Sequence, residues 1–275
     1  MRIDKENFNF YNAIITLTFK KEEVNMNSIQ RDLSIFNKFN FERKPIGVKF
    51  LLMKPDGIER LDKNLAFCEM LKEAQEGSSF YAIKENFECV GPILLGMVEP
   101  EPIFESGQVG PRLGVFEEAR ANKRLYQYIP RLARNTVNYV AFSPLDKLSF
   151  EPDVLIVAAN PSQLEILLRA MCYTTGKMWS SKGTPVMGCA WIYIYPYLSG
   201  ELNFMVTNLV HGMKARQVFP DGIILISIPY DLLPSMIENL QAIEWVLPAY
   251  TEGRDEHNRK FKEEIDALTQ ELLAN

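Results

Sequence analysis

The segment DVLIVAANPSQ at residues 153–163 constrains the fold more than any other part of the chain. Its uninterrupted apolar run is typical of a strand that is covered on both faces. Asn160 then suits the N-cap of a helix, Pro161 the first helical position and Gln163 the partner position of a capping box. The segment therefore predicts a buried strand that leads directly into a helix. Backbone N–H groups at such a turn are a common ligand site in α/β proteins.

The remaining elements follow one another in an order that does not alternate strictly between strand and helix. Apolar patterning predicts further strands at 45–53, 190–195 and 222–228. Helices are predicted at 27–37, 64–75, 117–128, 161–173, 231–246 and 255–273. Asn64 is the expected N-cap of the second helix, and Gly77 follows where a C′ glycine belongs. We expect an α/β or α+β fold in which a mixed sheet carries helices on its outside.

The chain contains no Gly/Ser-rich linker, so residues 1–254 are predicted to form one domain that residues 255–275 extend as a helix. That helix is marginal alone in water, so its narrow apolar stripe should pack on something. Its own domain is favoured over a partner copy because the stripe covers fewer than three heptads. A monomer and a homodimer both remain open. The stripe consists of Phe261, Ile265, Leu268 and Leu272.

Composition excludes several classes of protein. A net charge of −5 and a pI near 5.3 argue against a general nucleic-acid binder, which is usually basic. The apolar runs are too short to span a bilayer, and charges interrupt residues 1–21 where a secretory signal needs an apolar core. We therefore expect a cytoplasmic protein. Four cysteines in 275 residues do not make a disulfide scaffold and are expected to be thiols.

Several short segments together resemble the family known as domain of unknown function 169, over roughly residues 29–240. They are PIGVKF at 45–50, FCEMLKEAQEG at 67–77, CVG at 89–91, LG at 95–96, PDVLIV at 152–157, NPSQ at 160–163 and GCA at 188–190. The family is common in anaerobic bacteria and archaea and implies no established reaction.

The chain departs from the family's pattern at one place. Members usually carry a further cysteine in a Cys-x-Gly-x-Arg element, whereas this chain has VHGMK at 210–214. Val210 stands at the cysteine position and Lys214 at the arginine position. If the family's cysteines form a metal or cluster site, this member has either lost a ligand or substituted His211.

Cys68, Cys89 and Cys189 are the leading candidates for a functional site. Thiolates bind Zn²⁺ and iron–sulfur clusters, and four ligands complete either kind of site, so His211 is the candidate fourth ligand. The chain has no Cys-x-x-Cys pair, however, and inert burial of these thiols is the competing interpretation. Cys68 is also the candidate nucleophile, because a thiol near a helix N-terminus has a lowered pKa.

The predicted ligand pocket combines these thiols with two backbone turns. Gly91, after Cys89, would allow close approach of the backbone to a cofactor. Asn160 and Gln163 contribute the helix start described above. The predicted cofactor-binding residues are therefore Cys89, Gly91, Asn160, Gln163 and Cys189.

Other chemistry-bearing residues have simpler interpretations. Cys172 is expected in the core and His257 in solvent, and an ordinary loop histidine is the favoured interpretation of His211. Tyr193, Tyr195 and Tyr197 alternate, which places them on one face of the predicted strand. A basic cluster could clamp an anion but is more typical of a solvated helix face. It consists of Arg112, Arg120, Lys123, Arg124, Arg131 and Arg134.

Three hypotheses about function follow. The first is a small-molecule- or cofactor-binding protein of anaerobic metabolism that uses its cysteines for metal or redox chemistry. The second is a metal-free enzyme with a reactive cysteine, and the third is a non-catalytic subunit or scaffold. No Walker loop, dinucleotide-binding glycine motif, zinc-protease motif or nucleophile elbow occurs in the sequence, which argues against those enzyme classes.

Overall fold

The computed structural model describes residues 33–274. The N-terminal 32 residues and Asn275 lie outside the described part of the chain. The first half of the helix predicted at 27–37 and the segment considered for a secretory signal therefore lie outside the described residues. The second half of that predicted helix is a 3₁₀ helix, Leu33–Phe39.

A six-stranded sheet with the strand order β2-β3-β1-β4-β6-β5 organises the described residues. Every neighbouring pair is antiparallel. The predicted class is thus confirmed in its α+β form, with helices packed on the sheet, whereas the sheet is antiparallel throughout rather than mixed. The strands are β1 (Ile46–Leu51), β2 (Phe80–Ala82), β3 (Tyr139–Pro144), β4 (Val154–Ala159), β5 (Asn203–Val206) and β6 (Ile224–Pro229).

The helices fill the connections between these strands. The α-helices are α1 (Phe67–Gln75), α2 (Gly91–Leu94), α3 (Pro102–Glu105), α4 (Val109–Arg112), α5 (Ala119–Tyr126), α6 (Pro161–Cys172), α7 (Tyr195–Ser199), α8 (His211–Ala215), α9 (Leu233–Ala242) and α10 (Arg254–Ala274). A π-helix, Ala190–Ile194, leads into α7. Further 3₁₀ turns are Lys84–Asn86, Leu145–Lys147, Thr207–Leu209, Tyr230–Leu232 and Pro248–Tyr250.

The strand-to-helix unit predicted at 153–163 is confirmed. Asn160 is the N-cap of α6, and its side-chain oxygen accepts a hydrogen bond from the Gln163 N–H at 2.9 Å. The Gln163 side-chain oxygen accepts in return from the Asn160 N–H, also at 2.9 Å. Pro161 occupies the first turn, where a missing N–H costs nothing. The local sequence alone therefore specifies where this helix begins.

Strand β4 explains why the sheet has two separate cores. All six of its residues are buried. Ile156 belongs to the core that packs under α1 and the π-helix, whereas Leu155 and Val157 belong to the core under α6 and α9. Successive side chains of a strand point to opposite faces, so an uninterrupted apolar run supplies both cores at once.

The strand predicted at 190–195 is wrong, because these residues form the π-helix and the start of α7. Ile192, Tyr193 and Ile194 are completely buried, so the segment is apolar on every side and periodicity cannot distinguish strand from helix. The tyrosines consequently do not share one sheet face. Tyr193 is completely buried, whereas Tyr197 is 43% exposed.

Two smaller predictions about helix ends also need correction. Helix α1 begins after Ala66 rather than at Asn64, because the Glu69 carboxylate accepts a hydrogen bond from the Ala66 N–H at 2.7 Å. The helix predicted at 231–246 is shorter, since it begins as a 3₁₀ turn and α9 ends at Ala242. The expected turn after α1 is confirmed by the positive φ of +111° at Gly77.

The C-terminal helix is confirmed as α10, and no residue within it is buried. Its four stripe residues are between 46% and 79% exposed. Docking of this stripe on the domain or on a partner copy therefore stays a prediction. Between residues 33 and 274, no helix is both long and apolar enough to cross a membrane.

Candidate functional site

Three of the four cysteines converge on one small cavity beside the sheet. Cys68, Cys89 and Cys189 all line a cavity of about 90 Å³. Cys68 lies in the first turn of α1, Cys89 lies two residues before α2, and Cys189 immediately precedes the π-helix. These residues are separated by up to 121 positions in sequence, so only the fold brings them together. All three are free thiols.

The start of α1 is built around sulfur rather than around a capping side chain. Its N-cap residue, Ala66, has no side-chain oxygen or nitrogen to offer. The Phe67 N–H instead donates to the Cys89 sulfur at 3.2 Å, and the Gly91 N–H donates to the same sulfur at 3.4 Å. Burial nevertheless raises the pKa of Cys89, with the two backbone N–H groups opposing that effect. Cys89 therefore serves as a protonated structural acceptor.

Cys68 and Cys189 are neighbouring thiols that line the same cavity. The interaction with the Cys189 thiol lowers the pKa of Cys68, and burial opposes this effect. The same interaction, together with burial, holds the pKa of Cys189 well above its ordinary value. Cys68 is therefore the thiol of this pair that ionises first. Cys68 is 5% exposed, so small reagents reach it only through the cavity.

Arg216 supplies the positive charge of this cavity. It lies just after α8 and lines the cavity, where its charge lowers the pKa of Cys68. Its guanidinium donates to the Gly212 carbonyl oxygen at 3.5 Å and pairs with no carboxylate in residues 33–274. No sequence pattern points to this residue, because Arg216 is 27 positions from the nearest of the three thiols.

Two glycines allow the walls of the cavity to approach one another. A Cβ on Gly91 would lie 2.6 Å from the Phe87 ring. A Cβ on Gly188 would lie 2.9 Å from the Val210 side chain, which also lines the cavity. Any larger residue at either position would push one thiol-bearing segment outward. The prediction that Gly91 lies beside the thiols is in agreement with this geometry.

Other predicted site residues lie elsewhere in the fold. Asn160 and Gln163 are not among the residues that line the thiol cavity, and they satisfy each other in the capping box of α6. The Gln163 amide nitrogen also donates to the Phe39 carbonyl oxygen at 2.9 Å. Cys172 lies at the end of α6, where its thiol donates to the Arg169 carbonyl oxygen at 3.5 Å.

The residues of the cavity do not complete a metal site. His211, the candidate fourth ligand, begins α8 but is not among the residues that line the cavity. The backbone N–H of His211 donates to the Pro185 carbonyl oxygen at 2.8 Å. Across the described part of the chain, no three His, Cys, Asp or Glu side chains are grouped so that they could hold a metal ion.

A second and larger cavity, of about 490 Å³, is lined by basic side chains that sequence patterns did not indicate. Its cations come from three distant segments, namely the loop before β1, helix α1 and helix α8. The lining residues are Arg43, Lys72, Asn208, Lys214, Gln217, Val218, Phe219, Pro220 and Asp221.

The basic cluster noticed in the sequence does not line either of these cavities. Several of its members pair with glutamates at the surface instead. Arg134 lies 2.5 Å from Glu99, and Arg120 lies 3.6 Å from Glu118. These exposed ion pairs are typical of a solvated charged surface, which is the interpretation that the sequence pattern favours.

The fold and the site together define an α+β protein with a thiol-lined cavity on one side of an antiparallel sheet. The chain belongs to the family of domain of unknown function 169, described as "Uncharacterised ArCR", whose model matches residues 34–239. An uncharacterized protein of Methanocaldococcus jannaschii is 27% identical over 192 residues, which cover 68% of this chain and 81% of that protein. No solved structure matches.

Proposed function

We propose that this chain binds a small molecule in the thiol cavity and acts on it through the Cys68 thiolate. The observation that supports this proposal is the convergence of Cys68, Cys189 and Arg216 on one cavity. A thiol donor and a guanidinium then stabilise the same sulfur anion, which is how proteins activate a nucleophilic cysteine. The protein would work in the cytoplasm of an anaerobe, where its cysteines stay reduced.

The chemistry is a displacement at an electrophilic carbon or sulfur of the ligand. The Cys68 thiolate supplies the electron pair for the new bond, and the leaving group departs with the pair from the bond that breaks. Cys189 lies beside Cys68 and carries a proton, so it can protonate that leaving group. The cavity of about 90 Å³ admits only the reactive part of a ligand and excludes most water.

Competitive labelling with iodoacetamide, mapped by mass spectrometry, tests the proposal. At neutral pH, we expect Cys68 to react faster than a cysteine in an unstructured peptide, and faster than Cys172, which lies outside the cavity. Iodide leaves in this reaction, so no other reactant is needed. If no cysteine reacts faster than the peptide, the nucleophilic role is wrong. A non-catalytic subunit then becomes the better hypothesis.

A metal-dependent function is a second candidate, and the convergence of three thiols on one cavity is the observation that favours it. Val210 also lines this cavity, and it stands where the family resemblance implies a further cysteine. A fourth sulfur at this position would make a tetrathiolate set, which suits zinc or an iron–sulfur cluster.

Anaerobic purification with metal and sulfide analysis separates the two candidates. Our proposal expects no stoichiometric metal in the natural chain and a gain of Co²⁺ or Zn²⁺ binding in Val210→Cys. Stoichiometric metal or sulfide in the natural chain, lost in Cys89→Ala, would favour the metal-dependent function instead.

A further inference from the structure

The basic cavity shares two of its walls with the thiol cavity. On α1, Cys68 lines the thiol cavity and Lys72 lines the basic cavity. These residues are four positions apart, so they lie on one helix face about 6 Å apart along the axis. In and just after α8, Met213 and Arg216 line the thiol cavity, whereas Lys214 and Gln217 line the basic one. A single ligand could therefore reach both cavities.

The cations of the basic cavity are poorly neutralised. Lys214 pairs with no carboxylate among residues 33–274, and Lys72 reaches Glu76 only at 3.8 Å with both side chains substantially exposed. Asp221 is the one carboxylate that lines the cavity, and it already accepts a hydrogen bond from Asn208. Three cations against one carboxylate leave the cavity with an excess of about two positive charges.

Within residues 33–274, Arg43 is held in place by neutral groups. Its guanidinium donates to the Gln75 side-chain oxygen at 3.4 Å and lies 5.4 Å from the centre of the Phe219 ring. Gln75 is 6% exposed, and its amide nitrogen has no hydrogen-bond partner within the described residues. Gln75 is not among the residues that line the basic cavity, so it holds the Arg43 guanidinium in position and does not itself face a ligand.

We infer that the basic cavity binds the phosphate group of a phosphorylated small molecule whose other end reaches the thiols. A phosphate dianion matches the two excess charges, and its oxygens accept from Arg43, Lys72 and Lys214 at once. The volume of about 490 Å³ exceeds what a phosphate ion fills, which leaves room for an organic part. The link to the thiols rests on the proposed function, whereas phosphate binding itself does not.

Titration of the whole chain with inorganic phosphate, at constant ionic strength and followed by calorimetry, tests this assignment. We expect one saturable site in the natural chain and binding weakened roughly tenfold in Lys214→Gln, which loses one charged hydrogen bond. Lys262→Gln, an equal charge change on the exposed helix α10, should bind as the natural chain does. Cys68→Ala should also keep the phosphate site.

Several results would overturn the assignment. It fails if phosphate does not saturate a site, if Lys214→Gln binds phosphate as tightly as the natural chain, or if succinate binds while phosphate does not. A second measurement separates this failure from failure of the proposed function. Fast labelling of Cys68 without phosphate binding removes only the phosphate site, and phosphate binding with an unreactive Cys68 removes only the thiol chemistry.

If both properties hold, phenyl phosphate should connect them. We expect it to slow the labelling of Cys68 in the natural chain and to have no such effect in Lys214→Gln. Equal protection in both chains would contradict a phosphate-anchored ligand.

Discussion

The starts of helices α6 and α1 face the same physical requirement and meet it in opposite ways. Each leaves backbone N–H groups without partners inside the helix. At α6, Asn160 and Gln163 satisfy them with two reciprocal hydrogen bonds of 2.9 Å. At α1, the Glu69 carboxylate accepts from the Ala66 N–H, but Ala66 has no side-chain oxygen to return a bond, and the Phe67 N–H donates to the Cys89 sulfur. The start of α6, which follows the usual capping pattern, has its capping hydrogen bonds satisfied. The start of α1, which departs from that pattern, lines the thiol cavity.

The comparison teaches where function is to be sought. A complete capping box leaves few polar groups free to bind a ligand. A helix start with a strong capping signature in its sequence therefore has a structural role rather than a binding role. A helix start that relies on a weak sulfur acceptor loses stability, and natural proteins accept such losses mainly at functional sites. Four substitutions test this contrast between the two helix starts.

The largest effect is expected from Gly91→Ala, which breaks the close approach at the start of α2. The added Cβ would lie 2.6 Å from the Phe87 ring and 3.3 Å from the Phe67 side chain. Such overpacking should lower the free energy of unfolding by about 1–3 kcal/mol, measured by urea denaturation. Gly212→Ala is the matched control, since its Cβ meets nothing closer than 3.5 Å. Equal stability of both variants would contradict the packing described here.

Cys89→Ala should cost less but should act on α1 directly. It leaves the Phe67 and Gly91 N–H groups without their acceptor, and a buried donor without a partner costs about 1–3 kcal/mol. We expect the lower end of that range because sulfur is a weak acceptor. Cys89→Ser, which retains an acceptor, should recover part of the loss in the same denaturation experiment. No recovery would mean that the sulfur fills space and does not accept hydrogen bonds.

Asn160→Ala should remove about 1 kcal/mol of stability by opening the capping box of α6. Asn160→Ser, which still caps, should restore most of it. Neither change should alter the rate at which Cys68 is labelled, because α6 packs in the other core. Slower labelling in Asn160→Ala at unchanged folding would place this helix start in the functional site after all.

Arg216→Gln should have the smallest effect. The arginine is exposed, so solvent and salt screen its charge. We expect labelling of Cys68 at neutral pH to slow by about two- to threefold in low salt, and by less in high salt. Arg254→Gln, at the distant start of α10, is the control and should label normally. If the labelling rate of Cys68 falls by the same factor in low and high salt, the role of Arg216 is steric rather than electrostatic.

The sequence predicted local secondary structure well, but it predicted poorly which distant residues come together in space. The β4–α6 unit is encoded by adjacent residues, so its strand, cap and helix were all predictable. The π-helix at 190–194 was not, because a segment buried on every side shows no period. The three thiols were identified as candidates, whereas Arg216 and the basic cavity were not. Their cations come from distant segments, and no spacing rule links Arg43, Lys72 and Lys214.

The pH dependence of Cys68 labelling measures the activation of this thiol itself. Only the thiolate reacts, so the rate should rise with pH and level off above the pKa of Cys68. Because the neighbouring Cys189 thiol lowers this pKa, we expect the midpoint in the natural chain to lie below that of a cysteine in an unstructured peptide. In Cys189→Ala, the midpoint should move upward toward the peptide. A natural-chain midpoint at or above the peptide value, unmoved by Cys189→Ala, would contradict the account.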